Sequence, residues 1–269
     1  MILRIFLRMF SGFWLPTTLL ALVAIGVMIR LGIWQLDRHD QRQAFNTRVS
    51  AQLAQPPIEL AGDALATDLP GMEYRSAVVR GEYDHAQEVV IRNQVWGNQF
   101  GVHLLTPLII AGTDQAVLVD RGWIPAQDAE PEQWDQYHEP GVVEVEGMIR
   151  LSRSEPDFGG VPDQLPAPGE ALRAWNNVNI PQIDEQVSYP LLPVYIQQAP
   201  DPAWTGMPYR DQLEFELTAG PHIGYAIQWF LFATVLGLGY PVYVRHHEVR
   251  RSNEANAVDE DAQEKEREE

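Results

Sequence analysis

The residues with the most chemical promise stand close together near the C-terminal end, in Gly220-Pro221-His222-Ile223-Gly224-Tyr225-Ala226-Ile227-Gln228-Trp229-Phe230. Gly220-Pro221 suits a helix start, because proline is tolerated in the first turn, where no N–H is needed. His222, Tyr225 and Trp229 then follow at spacings of three and four and share one helical face. In the first turn the helix dipole favours the uncharged imidazole, whose lone pair is open to a metal. A flat, apolar cofactor such as haem, with histidine as axial ligand, fits such a face beside Tyr225 and Trp229. An interfacial belt of His, Tyr and Trp that only anchors a helix accounts for the same residues, and the residues alone leave both readings open.

A second motif is Leu118-Val119-Asp120-Arg121-Gly122-Trp123-Ile124-Pro125. A strand ends in arginine, glycine permits unusual dihedrals, and Trp-Pro fixes the exit. A corner in which Trp123 packs and Arg121 pairs with an acid is favoured over a guanidinium presented to a ligand carboxylate. Elsewhere the chemistry is sparse. There is no Gly-x-Ser-x-Gly, no His-Glu-x-x-His and no cysteine, so thiol nucleophiles, disulfides, Cys-rich zinc sites and thiolate copper sites are excluded. His103 lies in a strand pattern and reads as a hydrogen-bonded structural histidine. His246-His247, beside Arg245 and Arg250, reads as a basic flank rather than a metal site. The many carboxylates read as solvated surface, and Lys265 is the only lysine. A net charge of -18 argues against a nucleic-acid partner.

These residues must be positioned by membrane spans. Ile223 to Val244 is 22 residues without a charge, about 33 Å of helix and enough to cross a hydrocarbon core. Phe10 to Ile29 is a second apolar run, longer than the core of a signal peptide. Arg30 follows it, where its stem can carry the guanidinium to the interface. The spacing suggests a cytoplasmic start at 1–9, a first span at 10–34, a helical stalk at 35–55 ended by Pro56-Pro57, and a second span at 222–244. A basic flank and a disordered acidic tail fill 245–269. Between the spans, 56–221 is rich in β-branched runs: 74–80, 88–92, 102–106, 116–120 and 142–150, with further candidates at 172–178 and 192–197. The expected fold is α+β, with two transmembrane helices flanking an antiparallel β domain, a small barrel or sandwich. Irregular stretches at 126–141 and 154–169 read as loops over it, and a short helix is expected near 181–187. Arginines flank the spans, whereas 37–221 holds 28 acidic and 11 basic residues. By the positive-inside rule both termini are cytoplasmic and the β domain is outside.

Motifs along nearly the whole chain resemble the Surfeit locus protein 1 family of cytochrome c oxidase assembly factors. They are Gly32-x-Trp34-Gln35-Leu36-x-Arg38, Gly81-x-Tyr83, Gly101 with Thr106-Pro107-Leu108, the Leu118–Pro125 motif, Leu192-Pro193-Val194-Tyr195 and His222-x-x-Tyr225-Ala226-x-Gln228-Trp229-Phe230. The family often has Asn before this histidine, where this chain has Pro221.

The resemblance implies a non-enzymatic factor that binds haem a and assists its insertion into the catalytic subunit of a haem-copper oxidase. His222 would be the iron ligand, with Tyr225 and Trp229 beside it. Arg30, Arg38 and Arg121 are cations available to haem propionates on charge alone. Implied partners are the oxidase catalytic subunit, the haem a synthesis machinery and membrane lipid, and the expected location is a bacterial plasma membrane. The alternative is a cofactor-free membrane scaffold that stabilises a nascent oxidase subunit.

Overall fold

The computed structural model describes residues 7–154, 162–163, 170–211 and 215–268, with backbone alone for 255–268. Most of the loop expected between Ser154 and Gly169 lies outside these residues, as does Arg4. The chain forms two units, Met1–Asn46 with Leu217–Glu269, and Thr47–Glu216.

The first unit is built on two long helices, α1 (Leu15–Leu53) and α3 (His222–Glu268), the short helix α2 (Ile180–Asp184) belonging to the other unit. Their most apolar 18-residue windows have mean hydropathies of 2.0 and 1.4, so both are long and apolar enough to cross a bilayer. They pack against each other along their length. Gly32 lies under the Phe230 ring, where a Cβ would come within 2.8 Å. Further along, the hydroxyls of Thr17 and Thr18 lie 2.9 and 2.8 Å from that of Tyr240, and Trp14 Nε1 donates to Glu248 Oε1 at 2.9 Å. Polar bonds of this kind hold helices together in lipid, where apolar burial supplies little drive. Helix α3 continues through the basic flank to Glu268, where the composition alone suggests a disordered tail.

The second unit is an eight-stranded sheet: β1 (Ile58–Glu59), β2 (Ser76–Tyr83), β3 (Val89–Trp96), β4 (Gln99–Ile110), β5 (Ala116–Pro125), β6 (Val142–Leu151), β7 (Ala174–Trp175) and β8 (Leu191–Gln198). Because β2 pairs with both β6 and β4, the order β2-β6-β8-β5-β4 closes on itself into a five-stranded barrel. An odd ring cannot alternate direction all the way round. One pair must be parallel, and it is β5 with β8, while the other four pairs of the ring are antiparallel.

Val79, Val117, Val119, Val145, Ile149, Val194 and Ile196 fill one core. Leu118 points the other way, into a second cluster with Trp175, Ile180 and Ile183, so β5 is buried on both faces and reads as a continuous apolar run. A third cluster sets Trp134 and Tyr137 against Val90, Val102, Leu104 and Ile124. Those two aromatics come from a 3-10 segment, Pro131–Tyr137, within the stretch expected to be a loop.

The Asp120-Arg121-Gly122 corner is a β-bulge. Leu104 faces Gly122 and Leu105 faces Asp120, which leaves Arg121 as the extra residue on β5. Gly122 has φ +118°, and a Cβ there would meet the Tyr209 carbonyl at 2.3 Å, so only glycine fits. The backbones of Trp123 and Tyr209 exchange two hydrogen bonds of 2.8 Å, closing the corner.

Candidate functional site

The start of α3 is set by its sequence. Gly220 adopts φ +69°, the Pro221 carbonyl accepts from Tyr225 N–H at 3.2 Å, and His222 is the first helical residue. His222 Nδ1 lies 2.9 Å from Gln35 Oε1 on α1. The amide oxygen can only accept, so Nδ1 carries a proton and Nε2 is the nitrogen left for a metal. A bond of this kind fixes the tautomer and the ring orientation of a metal-ligating histidine. A Cβ on Gly220 would stand 3.4 Å from Nε2, so glycine also keeps that side of the ring open.

The other expected residues divide into two groups. Ala226 is buried, Trp229 is half-buried and edge-on to Phe232, and Tyr225 is exposed. On α1, Arg30 and Arg38 are exposed, and Arg38 donates to Gln41 at 3.0 Å from a position one turn beyond Gln35. Gln35 and His222 are thus brought together among exposed apolar residues, including Ile33, Trp34 and Ile223. A ring presenting one lone pair in such surroundings suits a single axial ligand for a flat, apolar metal complex.

Arg121 lies in the β domain, where the pairing with an acid that the sequence favours is present. It is completely buried in the β domain, where it donates to Glu88 Oε2 at 3.3 Å, to Glu139 Oε1 at 2.9 Å and to the Tyr137 carbonyl, and lies over the Tyr83 ring at 4.9 Å. Arg210 reaches the same Glu139 oxygen at 3.4 Å. Burial pushes the Tyr83 phenol well above its ordinary pKa, against the opposing pull of Arg121. The bulge delivers Arg121 into this network, and the acid it pairs with, Glu88, is itself fully buried.

His103 is structural, as its strand position suggests. Its Nδ1 lies 3.0 Å from both oxygens of Asp120, whose Oδ1 also accepts from Gly122 N–H at 3.1 Å. Burial disfavours the charged ring, but the Asp120 carboxylate outweighs it and raises the pKa of His103. A folded pKa above the unfolded value gives stability that is complete below about pH 6.5 and is lost as pH rises through the folded pKa. Between about pH 6 and about pH 8 the melting temperature should therefore fall more steeply for the native chain than for His103→Gln. Parallel curves for the two would remove the charged His103–Asp120 pair from the pH dependence of stability.

Sequence reasoning passed over Gln35 and Glu88. Gln35 stands in the Gly32–Arg38 motif directly after the expected first span, but nothing in its spacing pairs it with His222. Glu88 sits directly before an apolar strand run and gives no sign either.

Two wider comparisons bear on this arrangement. The SURF1 family model matches residues 22–234, which takes in Gln35, the whole barrel and His222. The chain belongs to the SURF1 family. A SURF1-like protein of Monosiga brevicollis is 26% identical over 244 residues, covering 86% of this chain and 89% of that protein. A SURF1-like protein of Caenorhabditis briggsae is 25% identical over 250 residues, covering 82% and 73%. The Surfeit locus protein 1 of Homo sapiens is 26% identical over 151 residues, covering 51% and 49%. SURF1 proteins are assembly factors of cytochrome oxidase rather than enzymes, and two helices able to span a membrane accord with that setting.

Proposed function

We propose that this SURF1-family chain is a membrane-anchored oxidase assembly factor that holds haem a at His222 and assists its insertion into the oxidase catalytic subunit. The observation that supports this reading best is the His222–Gln35 bond, which holds the ring through Nδ1 and leaves Nε2 as the nitrogen available to a metal at the start of an apolar helix. Haem a is cargo here, and its chemistry is supplied in the oxidase. The chain contributes one nitrogen ligand, the aromatic neighbours Tyr225 and Trp229, and the cations Arg30 and Arg38 for the propionates.

Arg8, Arg245, Arg250 and Arg251 flank the spans, against an acidic β domain. This supports cytoplasmic termini and an extracytoplasmic domain. A cofactor-free scaffold is favoured by a different feature, the exposed Val95 and Phe100 of the β3–β4 hairpin.

The two readings separate in one preparation. The full chain, purified in detergent from cells that make haem a, should carry about one haem per chain by absorption. A haem-free preparation that still captures the oxidase catalytic subunit would replace the proposal with the scaffold.

A further inference from the structure

We propose that His85, Glu88 and His138 form a site for a divalent transition-metal ion of the zinc type, separate from the haem reading and independent of it. His85 lies in the single 3-10 turn between β2 and β3, Glu88 directly precedes β3, and His138 ends the Pro131–Tyr137 segment. One ligand atom from each lies within 4.8 Å of the others. Two imidazoles and a carboxylate are a zinc-like donor set, whereas calcium and magnesium prefer oxygen alone.

A second observation points to a cation. Glu88 is fully buried, and its Oε2 is heavily used, accepting from Thr106 Oγ1 at 2.9 Å and Arg121 at 3.3 Å and lying 2.9 Å from His85 Nδ1. Its Oε1 is also buried and has no partner. An unsatisfied buried carboxylate oxygen is costly and calls for an explanation. Glu88 lines a cavity of about 360 Å³ together with His85, Trp134, Asp135, His138 and Arg173, which has room for an ion and a water ligand.

The surrounding geometry allows the change that binding needs. His85 and His138 are stacked, with ring centroids 3.9 Å apart and planes at 20°. In-plane lone pairs of parallel rings do not meet, so one ring must turn. His138 stands at the rim with its side chain 32% exposed, beside the exposed carboxylate of Asp135, 3.7 Å from its Nε2. His85 can exchange tautomers in place. Its Nε2 now accepts from Glu139 N–H at 3.3 Å and lies 3.4 Å from the Glu139 carbonyl. With the metal on Nδ1, the ring proton sits on Nε2 and is donated to that carbonyl, a usual outer partner of a ligating histidine, while Glu139 N–H gives up its bond to Nε2. The ion would clip the Pro131–Tyr137 segment, and with it Trp134 and Tyr137, onto the start of β3.

The test uses the full chain in detergent, stripped with a chelator and titrated with zinc chloride by calorimetry. One zinc per chain should bind with micromolar or tighter affinity, and His138→Ala should weaken it about 10-fold or more. Cobalt in place of zinc should give visible bands of nitrogen and oxygen ligation that His138→Ala removes. His138 is at the rim, so this variant should keep its fold by circular dichroism. Hydrogen exchange across residues 131–139 should slow with zinc in the native chain alone. Absence of saturable zinc binding, or binding that His138→Ala leaves unchanged, would overturn the site.

Discussion

Arg121→Met should lower the melting temperature of the β domain by roughly 6 to 20 °C, corresponding to about 3 to 5 kcal/mol. Methionine replaces the arginine stem but not the guanidinium, so a packing cost accompanies the larger electrostatic loss. Glu88 would be left with its charge inside the domain, facing only Thr106 and His85, and the Tyr137 carbonyl and Glu139 would lose a donor. A carboxylate in water loses little when its partner is removed, but one with no exposure cannot regain hydration. Pairing the change with Glu88→Gln should recover a large part of the loss, because the uncompensated charge goes with it. The double-mutant cycle measured on the full chain, with thermal unfolding followed by near-ultraviolet circular dichroism, isolates this coupling. Additive losses would mean that Arg121 acts through packing and the Tyr83 ring alone.

That network shows where the sequence stops being informative. Glu88 and Arg121 are 33 residues apart, and Arg121 and Glu139 are 18 apart, so no local period links them. The individual strands were legible because β-branched runs bounded by turn residues carry a local signal. Val142–Leu151 and Leu191–Gln198 were found almost to their ends on that basis. Closure of the ring was not legible, since it depends on β2 pairing with two partners at once and forces the parallel β5–β8 seam. The Arg121-Gly122 corner lies between these cases. Glycine announced unusual dihedrals, but only the register of β4 reveals that Arg121 is the bulged residue and so faces the buried acid. In the helical unit, the apolar lengths gave both helices. Composition failed beyond Glu254, because a charged helix and a disordered acidic tail have the same residue content.

His222→Ala should abolish haem retention, and Gln35→Leu should weaken it by about 10- to 100-fold while leaving His222 in place. In the proposed site the histidine would supply the nitrogen, so its removal would leave aromatic and apolar surface with no bond to iron. Gln35 acts one step away. Its Oε1 holds the proton on Nδ1 and the ring in one orientation, and leucine fills a similar volume without an acceptor. The ring would then sample both tautomers and several rotamers, and only some of these present an unprotonated Nε2. Gln35→Glu is the informative third variant. It keeps an acceptor at the same reach, makes the bond to Nδ1–H stronger and should strengthen the ligand field on the iron. Its absorption maxima should shift relative to the native complex, whereas a role of Gln35 in helix packing alone predicts unchanged maxima. Haem content and spectra of the four chains, purified side by side in detergent, decide between these roles. Equal haem in the native chain and His222→Ala would remove His222 as ligand.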